Sequence, residues 1–132
     1  MIKLNAFMSE YATEIDGQYS EYNQEKSVII VPLDENRFQA VLGAIKSNHD
    51  GVVALKFTSK VCEFNEKIDL KELLKKNHNF TYSKFVIVED VIKVEASTKM
   101  DNANIDQLKE MIIEVASSAD EWEYKLTGLD VN

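Results

Sequence analysis

The sequence predicts an α+β fold in which an antiparallel sheet of about five strands carries packed helices, in the order α-β-β-β-α-β-β-α. Three observations lead there. Ile105, Leu108, Ile112, Val115, Ala119, Trp122 and Leu126 recur at alternating steps of three and four, which draws one apolar stripe down a long helix. Residues 27–58 and 82–97 are rich in β-branched and aromatic side chains, in places with strict alternation. Turn-forming residues divide these stretches at hairpin spacing, the pattern of helices layered on an antiparallel sheet.

Leu4, Phe7, Met8, Tyr11 and Ile15 fall at helical spacing before Asp16-Gly17 ends the pattern, so a short first helix is expected over 4–15. Residues 18–26 are polar apart from Tyr19 and Tyr22 and read as an irregular lead-in. Residues 27–33 form a β-branched run in which Pro32, with no N–H to give a ladder, must stand at an edge or at the strand's end. Asp34-Glu35-Asn36 supplies a turn, 37–46 a strand apolar enough on both faces to be central, and 47–51 a hairpin loop ending in Asp50-Gly51. Val53, Leu55 and Phe57 alternate with Ala54, Lys56 and Thr58, the period of a strand with one buried face, and complete a three-stranded meander.

Asp69, with Glu72 three residues on, caps a short helix whose Leu70, Leu73 and Leu74 share one side until Asn77 ends it. Residues 82–88 and 91–97 pair through Glu89-Asp90, with Lys93 and Glu95 on the outer face of the last strand. The long helix follows over 105–126. Asn104 and Gln107 resemble a capping box at its start, and Gly128 suits a left-handed stop at its end.

The 132 residues fit one domain, 1–132, long enough to bury a core without staples. An apolar fraction of 45% with 29% charged residues is that of a folded chain. With 23 acidic against 15 basic residues the formal charge is −8, and Arg37 is the single arginine, so phosphate-rich partners are repelled and nucleic acid is not expected as a partner. The same balance disfavours anionic membranes, and apolar runs such as 28–33 fall far short of the roughly 18 residues of a membrane span. Cys62 is the only cysteine and the first residues lack an apolar signal core, so a reducing, cytoplasmic setting is expected.

Candidate chemistry is sparse. His49 beside Asp50 could orient an imidazole, but with His78 as the only other histidine and no metal-like spacing, a solvated turn residue is the simpler reading. Cys62 has no sequence-adjacent histidine or helix start to make it nucleophilic. Asp101, Asp106 and Glu110 invite a calcium loop, yet Ala103 and Ile105 stand where such a loop needs oxygen ligands. The glycines at 17, 43, 51 and 128 cannot assemble a phosphate loop or a nucleophile elbow. No catalytic residue, metal ligand or cofactor is assigned. Asp120, Glu121 and Glu123 read as a wet helix face that could offer a patch to a basic partner. Met111 and Ile113 flank the main stripe and exceed what one core can cover, which points to a homodimer.

Taken together, the segment Asp69-Leu70-Lys71-Glu72-Leu73-Leu74-Lys75-Lys76-Asn77, the hairpin over 80–97 and the ending Ala119-Asp120-Glu121-Trp122-Glu123-Tyr124-Lys125-Leu126-Thr127-Gly128 resemble the YbjN family. Arg37-Phe38-Gln39-Ala40-Val41 echoes a further strand of that family. The resemblance implies an α+β domain of the type III secretion chaperone type, commonly dimeric and often labelled a sensory transduction regulator. It brings no catalytic residues with it.

The expectation is a non-enzymatic, chaperone-like or regulatory domain that holds a protein partner, with Asp120, Glu121, Glu123, Met111 and Ile113 as candidate partner-binding surface. Two alternatives stand beside it. One is an acidic, immunity-like antagonist that covers a basic site. The other is a small-ligand-binding domain, which needs a deep pocket with convergent polar groups.

Overall fold

The structure, a computed structural model, describes residues 2–128. It runs α1 (Leu4–Glu14), β1 (Gln18–Asn23), β2 (Lys26–Pro32), β3 (Phe38–Ser47), β4 (Val53–Glu63), α2 (Leu70–Lys76), β5 (Ser83–Val88), β6 (Val91–Lys99) and α3 (Ile105–Thr127). The strands form one six-stranded sheet in the order β1-β2-β3-β4-β6-β5, with every neighbouring pair antiparallel. The architecture is the predicted α+β layer, with one strand more than expected.

The added strand is β1, which falls on the stretch read as an irregular lead-in. Its side chains are almost all exposed, so hydrophobic periodicity could not reveal it. What holds it is backbone pairing with β2, from Gln18 opposite Ile30 to Asn23 opposite Lys26. Asn5 of α1 adds to this by donating its side-chain amide to the Asn23 carbonyl at 2.7 Å.

Side chains of alternate residues point to opposite faces of a strand, so strand register sorts the whole sheet. Ile29 and Val31 on β2, Val41 on β3, Leu55 and Phe57 on β4, and Ile92, Val94 and Ala96 on β6 are all buried on one face. All three helices lie on that side. Helix α1 packs against β1, β2 and β3, and α3 crosses β3, β4 and β6. Gly43 of β3 stands where the two sets of side chains converge, and a Cβ there would meet Met8 Cε at 3.0 Å and Phe57 Cε1 at 3.2 Å. Its lack of a side chain lets Leu4 and Met8 of α1 reach the sheet.

Helix α3 forms where its stripe and caps place it. The Asn104 side chain accepts from the Gln107 N–H at 2.8 Å, and Gly128 turns into the left-handed region at φ 73° with its N–H on the Tyr124 carbonyl. The buried band is wider than the predicted stripe, taking in Met111, Ala116, Asp120 and Glu123. Trp122 is core, with its ring edge-on to Phe85 at 5.5 Å. Helix α2 is held more lightly: Asp69 caps it through the Glu72 N–H at 3.2 Å, and Leu73 is the one buried residue of its seven.

Candidate protein interface

Two regions of the helical side combine exposed apolar surface or charge with a defined geometry. The first lies where α2 meets the sheet edge. Leu70, Leu73 and Leu74 on α2 face Phe85, Val86 and Ile87 on β5 and Ile92 on β6, and enclose an apolar groove of about 310 Å³. Leu74 is 67% exposed, and Ile87 and Val88 nearly half so. Strand β5 is the last strand of the sheet, so its outer backbone groups have no strand to pair with. The edge is occupied at its start, because Asn77 accepts from the Phe85 N–H at 2.7 Å. Beyond that point an open edge adjoins an apolar groove, the combination that strand-adding peptides use.

The start of β5 is locked to α3 by Glu114. Its carboxylate accepts from the backbone N–H groups of Thr81 and Tyr82, both at 2.9 Å, and from the Ser83 hydroxyl at 2.6 Å. Partial burial pushes the Glu114 pKa up, but the bonds from the Ser83 hydroxyl and the Thr81 and Tyr82 N–H groups outweigh it, and the net pKa is lowered. One turn earlier, Glu110 accepts from the Tyr82 hydroxyl, and this bond is the main cause of the raised Tyr82 pKa.

The second region is the C-terminal half of α3. Arg37, at the start of β3, donates from Nε to Asp120 Oδ2 at 2.9 Å and from Nη1 to Glu35 Oε2 at 3.1 Å, which ties the β2–β3 turn to the helix. Around this pair Leu33, Ser117, Tyr124 and Lys125 line a shallow depression of about 270 Å³. Glu121 pairs with Lys125 at 3.0 Å on the exposed side, and the Lys125 ammonium also lies 4.6 Å from the centre of the Trp122 ring.

The five residues expected to form a partner surface are therefore not brought to one place. Met111 is 1% exposed, Asp120 5% and Glu123 0%, whereas Glu121 and Ile113 are exposed. Asp120 and Glu123 lie one position beyond Ala119 and Trp122 on the helix, at the margin of the stripe, and are drawn under by the wider band. The expected wet acidic face keeps Glu121. Sequence reasoning missed the groove at α2 and β5, although its leucines and Phe85 to Ile87 were each placed on the correct element; their meeting depends on the sheet order.

The other candidates resolve simply. His49 and Asp50 stand 3.5 Å apart in an exposed turn. Cys62 is buried, and burial followed by the nearby Glu123 carboxylate raises its pKa, which works against a thiolate. Among the described residues no group of three or more His, Cys, Asp or Glu is arranged to hold a metal, and no helix is long and apolar enough to cross a membrane.

Helices on one face of an open antiparallel sheet, in this connectivity, define the secretion-chaperone type of α+β fold, and solved structures bear this out. A chain of the ExsC–ExsE complex matches with a TM-score of 0.61 at 16% identity, over 94% of this chain and 92% of that one. A chain of the heterodimeric ExoU–SpcU complex from the type III secretion system of Pseudomonas aeruginosa matches with a TM-score of 0.57 at 9% identity, over 96% and 99%. A chain of the HopA1–SchA chaperone–effector complex gives 0.58 at 12% identity, over 93% and 98%. No protein-family model matches the chain, and no curated protein matches its sequence. The structures show the fold, and the likeness to the YbjN family rests on the quoted motifs alone.

Proposed function

We propose that this chain is a non-enzymatic, chaperone-like domain that holds a segment of a protein partner. The observation that carries the reading is the open β5 edge beside the apolar groove of α2, on a fold whose solved counterparts come from complexes with protein partners. A bound segment would add a strand to β5, its main chain supplying hydrogen bonds and its alternate side chains filling the groove. Glu114 serves this by fixing where β5 begins.

Purification at native expression level with mass spectrometry tests it. The expected result is one recurring partner with the wild type that is lost from Leu74→Asp and Ile87→Asp, both changes at exposed positions that leave the core intact. Repeated purification without a partner, or a partner indifferent to both variants, would overturn the reading.

The same exposed apolar residues suit a second copy of the chain, and a homodimer in the partner-free state is part of the proposal. Of the two residues that first pointed to a dimer, Ile113 is available at the surface and Met111 is not. Light scattering at micromolar concentration is expected to give a species of twice 15.1 kDa, and a 15.1 kDa species alone would refute the dimer.

A further inference from the structure

The face of the sheet turned away from the helices carries a charge opposite to that of the whole molecule. Reading across the register, Lys26 of β2 aligns with Ala44, Lys56 and Ser97, and Ala54 of β4 lies between Lys46 and Lys99. Thr58 aligns with Glu95 and then Lys84, and Lys60 stands directly opposite Lys93. Seven of the chain's 15 basic residues thus share one face, where Glu63 and Glu95 are the acids of the described strands.

The pairing of those charges is incomplete. Glu95 is shared between Lys56 at 3.8 Å and Lys84 at 3.7 Å. Neither Lys60 nor Lys93 makes an ion pair among the described residues, and like charges set directly opposite on adjacent strands repel. A chain with 23 acidic residues sets none of them in an ion pair with either lysine among the described residues. Beside the lysines, Val28 pairs with Leu42 and Ile30 with Ala40 on the same face, outside the helix-covered core.

We infer that this lysine lane docks an acidic polypeptide segment of a partner. The inference rests on the protein-binding reading above and adds the chemistry of what is bound. Carboxylates spaced along a chain would meet Lys60, Lys93 and Lys84 in turn, while apolar side chains continuing past Lys60 toward β3 and β2 would cover Leu42 and Val28. Polypeptide fits better than nucleic acid on two counts. The face holds lysines only, since Arg37 is engaged with Asp120 and Glu35, so bidentate phosphate contacts are missing. The net charge of −8 also repels a polyanion that extends past the face.

The test is fluorescence anisotropy with a labelled Glu-rich peptide of about 12 residues, enough to cross four strands spaced at about 4.8 Å. The expected result is binding by the wild type that weakens with added salt and falls about tenfold or more in Lys60→Glu, an exposed change that leaves the core untouched. Unchanged affinity in Lys60→Glu, no binding by the wild type, or tighter binding of a single-stranded oligonucleotide of equal charge would each overturn the inference. Native purification separates the two claims. A partner kept by Lys60→Glu but lost from Ile87→Asp would remove the lane and leave the protein-binding reading in place. Absence of any partner from the wild type would remove that reading, while the peptide measurement still reports on the lane.

Discussion

Phe57 and Thr58 are neighbours on β4 and stand in different solvents. Phe57 is fully buried among side chains from the helices and the sheet, and Thr58 looks out from the uncovered face toward Glu95. The same division holds along β2, where Ser27, Ile29 and Val31 are buried and Lys26, Val28, Ile30 and Pro32 are only partly so. One set of strands thus builds two surfaces under different rules. The helix side is governed by volume, because atoms must fill space at crystal-like density. The open side is governed by charge and exposed apolar area, where substitutions change little in stability and much in what can be bound.

The largest expected effect exposes that contrast. Phe57→Ala would leave a cavity between the sheet and the helices that cover it and should cost about 3–5 kcal/mol, whereas Thr58→Ala should stay within about 0.5 kcal/mol. Urea denaturation of both variants measures the difference. Equal costs would mean that the open face is covered in solution by a second layer, and the division drawn here would fall.

That division was only half legible in the sequence. The long helix announced itself through its stripe, the Asn104 cap and Gly128, because each is a local signal within one segment. Asp69 and Leu73 were legible on α2 for the same reason. Strand β1 was hidden because it is polar on both faces and joins the sheet through backbone pairing. The end of β4 was hidden by the register shift between Lys60 and Cys62, which breaks the alternation after Val61 and brings Val61 and Cys62 both into the buried set. Lys93 and Glu95 could be assigned to an outer face from β6 alone. That Lys60 opposes Lys93 required the pairing of strands whose residues lie far apart in the chain, and no local pattern encodes it.

Glu114 offers the next effect in size. Three donors from 81–83 converge on one carboxylate, and Glu114→Ala would leave two backbone N–H groups without it, at a cost of about 1–3 kcal/mol. The pH dependence has a definite sign. The folded-state pKa is lowered, so the unfolded chain binds the proton more readily. The carboxylate's contribution is therefore complete above the unfolded glutamate value of about 4.3 and is lost as pH falls through the folded value. Stability measured from neutral pH downward should fall less steeply in Glu114→Ala than in the wild type. Parallel acid limbs in the two proteins would count against the three-donor lock. A loosened β5 start should also weaken partner capture, linking this helix-side bond to the groove.

The smallest effect carries the most information about the open face. Lys60 and Lys93 repel across one strand pair, so Lys60→Glu replaces a repulsion with an attraction between the same two positions. The expected gain is about 0.2–1 kcal/mol, read as a raised denaturation midpoint with an unchanged slope against denaturant, and it should shrink as salt is added. A residue kept for stability alone has no reason to lose in such an exchange. If the variant is more stable and also loses the acidic peptide, the lysine pair is held at a cost in folding for the sake of binding, as strained or like-charged groups at functional surfaces often are. If the variant is less stable, the pair is relieved by contacts that the register alone does not reveal, and the contrast between a face set by volume and a face set by charge would need redrawing at β4 and β6.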